Sequence, residues 1–187
     1  MKVELENVKP MDIEKRSFEI ITEELGDKKL LPGTELIAIT AIKNGACIVT
    51  DTQMAKSGIN KRALSRYGGE VYCFMSDEDV AELAKKNGTT RATASMDKAA
   101  SLDKKLIFAI GNAPTALVRL YELIEEGKLS PELIIGVPVG FVNVVQSKEL
   151  IMEAGVPYIV ARGRKGGSNI AACICNALLY MIDNRRD

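Results

Sequence analysis

Short apolar runs alternate with helix-like patterns along most of this chain. Five of these runs are bounded by turn residues and predict β-strands at 47–50, 71–74, 106–110, 133–137 and 158–161. Between the runs, apolar residues recur at helical spacing, as Leu117, Leu120, Tyr121 and Ile124 do. This alternation is typical of the α/β class, so we expect a single domain over residues 1–187 with a mostly parallel sheet flanked by helices.

Helix boundaries are marked by charge, proline and glycine. One predicted helix begins with acidic residues at 77–79 and stops at Gly88. An opening helix carries Pro10 in its first turn. The last predicted helix begins at Ser168 and runs to about residue 182; because it is apolar nearly all round, we expect it to be buried.

The segment before the first strand does not fit this pattern. Residues 34–37 begin like a strand, whereas residues 41–45 end like a helix with a glycine stop. No turn residue separates the two, and a strand needs a connection before a helix. Either residues 36–43 form a single short helix, or part of the chain is missing here.

Composition limits the kinds of catalytic and metal-binding site that the given sequence can form. The 187 residues include no histidine, which excludes Ser-His-Asp triads, Cys-His pairs and histidine-ligated zinc. Twenty-five basic residues balance 25 acidic ones, which argues against a general nucleic-acid or membrane-surface binder.

Targeting and redox signals point to the cytoplasm. Residues 1–15 alternate in charge without an apolar core, unlike a signal peptide, and no apolar stretch is long enough to span a bilayer. The four cysteines have no metal-like spacing, and we interpret all four as buried thiols in a reducing compartment, with a disulfide as the alternative. Cys173 and Cys175 lie two apart in a helix and should point to opposite sides.

The loops that follow the strands are the place to look for a site, because ligands of open parallel sheets bind beyond the carboxyl ends of the strands. Residues 163–168 are glycine-rich and basic and open a helix, so backbone N–H groups, Arg164 and Lys165 could meet an anion. The plain alternative is a glycine-rich turn with solvated basic residues. Pro138, between two valines, looks like a wall for a flat apolar ligand.

Three further loop residues can be explained by turn or cap formation alone. Asp51 is the best lone carboxylate candidate, and it could instead be a cap or turn residue. Asn112 can cap the next helix, with Pro114 in its first turn.

Five ordered motifs in the chain resemble the precorrin-8X methylmutase family of cobalamin biosynthesis. They are Ile13-Glu-x-Arg-Ser-Phe-Glu-Ile, Ile48-Val-Thr-Asp-Thr-x-Met, Gly111-Asn-Ala-Pro-Thr-Ala-Leu, Ile135-Gly-Val-Pro-Val-Gly-Phe-Val and Gly163-Arg-Lys-Gly-Gly-Ser. The resemblance implies a homodimeric isomerase that moves a methyl group from C-11 to C-12 of precorrin-8X or cobalt-precorrin-8, giving hydrogenobyrinic or cobyrinic acid. It implies no external cofactor and no metal site.

Placement and resemblance together give a set of expected contacts with the corrinoid substrate, whose many carboxylates suit basic residues and free N–H groups. Ser17 enters through the resemblance alone, since its plain alternative is a hydroxyl bonded back to its helix. The expected contacts are Ser17, Asp51, Thr52, Arg91, Gly111, Asn112, Pro114, Thr115, Gly140, Phe141, Arg164, Lys165, Gly166, Gly167 and Ser168.

The chain departs from the family at the segment that does not fit. The resemblance implies a catalytic histidine in an Arg-x-x-His segment, which would lie between Ile37 and Ala38 and is absent. We expect roughly two dozen residues to be missing there, enough for a strand end, a loop and a helix start.

Two explanations compete for this absence. We favour a mobile active-site segment left out of the sequence, in which case Ile37 and Ala38 would lie much farther apart than the roughly 3.8 Å of bonded neighbours. Otherwise the gene lacks the segment, and the protein binds corrinoids without isomerising them. A third interpretation is a nucleotide- or phosphate-binding α/β enzyme that uses the 163–168 loop.

Overall fold

Five parallel strands form one sheet in the computed structural model, which describes residues 34–182. Every neighbouring pair is parallel, and the order across the sheet is β2-β1-β3-β4-β5. The α/β prediction is therefore confirmed. The strands are β1 (Cys47–Thr50), β2 (Val71–Tyr72), β3 (Leu106–Ile110), β4 (Leu133–Gly136) and β5 (Tyr158–Val160).

Eight helices connect and cover the strands within residues 34–182. They are α1 (Thr34–Lys43), α2 (Gln53–Gly58), α3 (Lys61–Ser65), α4 (Glu78–Asn87), α5 (Arg91–Ala100), α6 (Pro114–Glu125), α7 (Val144–Met152) and α8 (Ser168–Ile182). In this part of the chain none is long and apolar enough to cross a bilayer.

The sheet is covered on both faces, because alternate residues of each strand point to opposite sides. Ile48 and Ile107 pack in one core layer with residues of α1, α3 and α8. Val49 and Phe108 pack in the other, with residues of α4, α5, α6 and α7. Burial on both faces explains why the strands are continuously apolar rather than alternating.

The predicted boundaries hold well where glycine or an apolar run defines them. The structure reproduces β1, β3 and α8 at their predicted bounds and ends α4 at Gly88, which has a left-handed φ of 63°. The other strands are one or two residues shorter than predicted.

The burial predicted for the four cysteines is wrong at Cys173, and the burial predicted for α8 is wrong at Asn169, Cys173 and Met181, which are exposed. Cys173 is exposed on α8, whereas Cys47, Cys73 and Cys175 are buried. The expected opposition of Cys173 and Cys175 accounts for this, because α8 has one face turned away from the sheet.

The segment that did not fit the sequence pattern is one continuous helix. Ile37 and Ala38 are consecutive residues of α1, and the Thr40 hydroxyl donates across them to the Leu36 carbonyl at 2.7 Å. The strand start expected at 34–37 is therefore helical, in line with the alternative of a single short helix over residues 36–43. A shortening relative to the family stays a prediction. The predicted opening helix, with Pro10 and Ser17, lies outside the described residues.

Candidate functional site

Four loops meet at the carboxyl edge of the sheet, as the parallel topology requires. The loop after β1 contacts the start of α8 through Thr52, whose hydroxyl donates to the Ser168 hydroxyl at 2.8 Å. The loop after β4 contacts the loop after β5 through the Gly167 N–H, which donates to the Val137 carbonyl at 2.8 Å. The four loops therefore form one connected surface.

Asp51 joins the loops after β1 and β3. Its side chain is fully buried. One oxygen accepts the N–H of Gly111 at 2.9 Å, and the other accepts those of Asn112 at 2.8 Å and Ala113 at 2.6 Å. Burial raises the pKa of Asp51, and these backbone hydrogen bonds oppose the rise. Because both oxygens are used within the protein, Asp51 positions the 111–113 backbone and does not face a ligand here.

Gly111 allows the loop after β3 to pack against the start of α8. A Cβ atom at this position would lie 2.6 Å from the Ser168 Cα and 2.7 Å from its backbone nitrogen. No side chain fits at that distance, so glycine is required by the close approach rather than by its φ angle.

The start of α6 differs from the prediction in one respect. Ala113, not Asn112, occupies the N-cap position, and Pro114 follows in the first turn as predicted. Asp51 already accepts the backbone N–H groups of Asn112 and Ala113, so the Asn112 side chain is not needed as a cap. That side chain is exposed instead.

Arg91 lies beside this loop. The Thr115 hydroxyl is 3.1 Å from that of Thr90, which caps α5 by accepting the Thr93 N–H. Arg91 is the first residue of α5 and is exposed. The structure therefore brings this predicted contact to the start of α6.

The basic loop after β5 has the predicted exposed charges. Arg164 and Lys165 are both exposed, and Gly163 has a left-handed φ of 77°. The backbone N–H groups of Gly166, Gly167 and Ser168 are expected to face a ligand. That of Gly167 is not available, because it donates to the Val137 carbonyl. Within residues 34–182, the N–H groups of Gly166 and Ser168 donate to no backbone acceptor.

The expected apolar wall after β4 is a projecting tip. Pro138 is buried, whereas Phe141 is 83% exposed and Val142 is 78% exposed. The Phe141 ring centre lies 6.0 Å from the Arg164 guanidinium carbon, within the range of a cation–π contact. The tip and the basic loop thus form one surface with an aromatic side and a cationic side.

Lys148 on α7 is a site residue that the sequence analysis missed. It is fully buried, and its Nζ donates to the Gly163 carbonyl at 2.9 Å and the Lys165 carbonyl at 2.7 Å. Burial lowers its pKa to about 8. The one signal in the sequence is spacing, because position 148 falls on the same helix stripe as the apolar Val144 and Ile151.

The structure brings most predicted contacts to this edge. Thr52 and Gly111 both lie against Ser168, and Gly140 donates its N–H to the Arg164 carbonyl at 3.4 Å. Ser17 lies outside the described residues. Residues 34–182 contain no group of three or more cysteine, aspartate or glutamate side chains placed to hold a metal ion.

Comparison with known proteins identifies relatives of one kind. A family model described as CbiC, precorrin-8X methylmutase, matches residues 36–181. The cobalt-precorrin-8 methylmutase of Priestia megaterium is 41% identical over 203 residues, covering 95% of this chain and 90% of that protein. The same enzyme of Leptospira interrogans is 41% identical over 208 residues, covering 93% of this chain and 94% of that protein.

A solved structure agrees with these sequences. The crystal structure of precorrin-8X methylmutase from Thermus thermophilus matches with a TM-score of 0.75 and 33% identity, covering 92% of this chain and 98% of that one. The likeness therefore extends from sequence to fold.

The two sequence alignments are longer than the 187-residue chain itself. Since 95% of this chain is about 178 residues, about 25 of the 203 positions aligned with the Priestia megaterium protein have no counterpart here. The matches nevertheless cover most of the chain, and the chain belongs to the precorrin-8X methylmutase family.

Proposed function

We propose that this protein is an isomerase of cobalamin biosynthesis that converts precorrin-8X, or cobalt-precorrin-8, into hydrogenobyrinic or cobyrinic acid. The observation that carries the proposal is the family match over residues 36–181, which spans all four loops of the candidate site.

The chemistry of the surface suits a corrinoid. Such a substrate is a flat macrocycle surrounded by carboxylate side chains. The exposed Phe141 offers an aromatic face, and Arg164 beside it offers a charge-assisted donor to a carboxylate. The start of α8 adds a helix dipole and the N–H groups of Gly166 and Ser168.

The reaction is internal to the substrate. The bond from the methyl carbon to C-11 breaks as the bond to C-12 forms, and the composition of the substrate does not change. The described residues can hold the ring and its carboxylates so that these atoms stay aligned. Asp51 does not supply a proton, because both its oxygens accept backbone hydrogen bonds.

We also propose that the alignment positions without a counterpart lie between Ile37 and Ala38. Two observations support this: the sequence holds no histidine, and residues 36–38 run through α1 without the expected loop. The segment that would carry the family's histidine is then the part that this chain lacks. We therefore expect the chain to bind the product and to convert the substrate slowly.

Restoring the segment tests this function. The corresponding stretch of about 25 residues from the Priestia megaterium enzyme is inserted between Ile37 and Ala38, and conversion of precorrin-8X is followed by its absorption spectrum. We expect the insertion to raise the rate about 10²- to 10⁴-fold, the usual contribution of a general acid or base. The matched control is the same insertion with its histidine replaced by alanine.

The outcomes separate the candidate functions. Binding of hydrogenobyrinic acid without turnover, even after the insertion, would indicate a non-catalytic corrinoid-binding protein. Absence of both binding and conversion would reject the proposed function, and binding of inorganic phosphate at the 163–168 loop would then favour the phosphate-binding alternative.

The finer assignments, a homodimer located in the cytoplasm, are proposals of the same kind. The apolar α8, with Cys173 and Met181 exposed, is consistent with contact between two copies. Sedimentation velocity of the full chain tests the dimer, and a monomer at micromolar concentration would reject it.

A further inference from the structure

Lys148 occupies a position that is unusual for a lysine. It lies on the buried stripe of α7 together with Val144, Ser147 and Ile151. Lysine is almost never fully buried unless a partner compensates its charge. A specific requirement at this point of the fold must therefore keep it there.

The partners of Lys148 show what that requirement is. Among residues 34–182, no carboxylate lies within salt-bridge distance of its Nζ, which instead donates to the carbonyls of Gly163 and Lys165. Both carbonyls belong to the basic loop after β5. The buried ammonium group therefore stabilises one conformation of this loop.

This conformation determines what the loop presents to a ligand. With the carbonyls of Gly163 and Lys165 turned inward to Lys148, the Arg164 and Lys165 side chains are exposed on the outside. Carbonyl oxygens on that outer surface would repel an anion. Holding them inward leaves the surface to cationic groups and N–H donors.

We propose that Lys148 is a positioning residue for anion binding: its ammonium group fixes the 163–165 backbone so that Arg164 and the N–H groups of Gly166 and Ser168 face a carboxylate of the ligand. The proposal rests on the proposed function, which names that ligand as a corrinoid acid. The buried positive charge also adds to the field that draws the anion, because screening by water is weak inside a protein.

The test compares three variants of the full chain. Lys148→Met removes the charge and both donated hydrogen bonds at nearly constant volume, and Lys148→Gln keeps N–H donors without the charge. Lys128→Met is the matched control, because Lys128 is exposed and pairs with Glu126 at the surface. The probe is hydrogenobyrinic acid, titrated by absorbance, with unfolding measured on each variant.

We expect Lys148→Met to bind the probe at least tenfold more weakly, the scale seen when outer groups that orient metal ligands are removed. Lys148→Gln should recover part of the affinity, and Lys128→Met should bind like the unaltered protein. Amide hydrogen exchange provides a readout that needs no ligand. Peptides covering 162–168 should exchange faster in Lys148→Met, whereas those covering β3 should not.

Each contrary result is informative. Equal affinity in the unaltered protein and Lys148→Met, with both folded, would overturn the proposal. So would unfolding of both Lys148 variants, since Lys148 would then serve the fold as a whole. If the unaltered protein fails to bind the probe, the proposed function fails, whereas the exchange result still decides whether Lys148 orders the loop.

Discussion

The two halves of the carboxyl edge differ in how their loops are held. Beyond β1 and β3, the loops are bound to each other by the three hydrogen bonds of the buried Asp51. Beyond β4 and β5, the loops project, with Phe141 and Arg164 exposed. The first half holds its loops rigidly together, and the second exposes the aromatic and cationic groups that we propose as ligand contacts.

Sheet position explains the difference. β1 and β3 both lie inside the sheet, with a neighbouring strand on each side, so the loops that leave them are flanked by other loops. β5 is an edge strand with one neighbour, so its loop has solvent on one side. A loop that leaves an edge strand can therefore expose its side chains without uncovering the core.

Removing the Asp51 carboxylate should have the largest effect on stability. Asp51→Ala leaves three N–H groups in a buried loop without acceptors, so we expect the free energy of unfolding to fall by about 3–5 kcal/mol. Urea unfolding measures this, with Asp103→Ala as the exposed control. A loss below about 1 kcal/mol would remove the distinction between the two halves.

Raising the pH should have an intermediate effect, through Lys148 beneath the projecting half. Its pKa falls from an ordinary 10.5 to about 8 on folding. Below about pH 8, the folded and unfolded chains are both protonated at this group. Above it, the unfolded chain holds the proton more tightly, so the free energy of unfolding rises with pH, by about 2–3 kcal/mol near pH 10.

Comparing variants isolates this contribution. The rise should be present in Lys128→Met and absent in Lys148→Met when urea unfolding is measured from pH 7 to pH 10. The same slope in both variants would show that Lys148 is not the group responsible. Other lysines and tyrosines titrate in both variants and cancel in the difference.

Truncating the exposed aromatic ring should have the smallest effect on stability. Phe141→Ala should change the free energy of unfolding by less than about 0.5 kcal/mol, because the ring is 83% exposed. Phe108→Ala is the buried counterpart and should lower the free energy of unfolding by about 3–5 kcal/mol.

Binding of hydrogenobyrinic acid should nevertheless weaken about tenfold in Phe141→Ala, equivalent to about 1.4 kcal/mol. Unchanged binding would argue against the projecting half as the contact surface.

Much of the fold could be predicted from the sequence, because local patterns determine it. Buried parallel strands read as short apolar runs, and so β1 and β3 are placed at their predicted ends. That the loops after these strands meet follows from the parallel topology alone.

The details of the site depend on contacts between loops that are distant in the chain. The Gly167 N–H is taken by Val137, thirty residues earlier, and no local pattern indicates this. In sequence, Lys148 resembles an ordinary surface lysine of a helix. Its role depends on hydrogen bonds to the carbonyls of Gly163 and Lys165, which belong to another loop. The sequence predicts Asn112 as a cap because nothing local shows that Asp51, from another loop, accepts the backbone N–H groups of residues 112 and 113.

The course of α1 has a consequence for the history of the chain. Leu36 and Ile37 are exposed, whereas Ala38, Ala41 and Ile42 pack into the core, so the junction at 37–38 lies at the rim of the packed body. A segment joined at this junction would leave the fold from its surface rather than from its core. Loss of the segment that we propose to be absent there would remove catalytic residues and leave the fold in place. A well-folded chain of this family need not be an active enzyme.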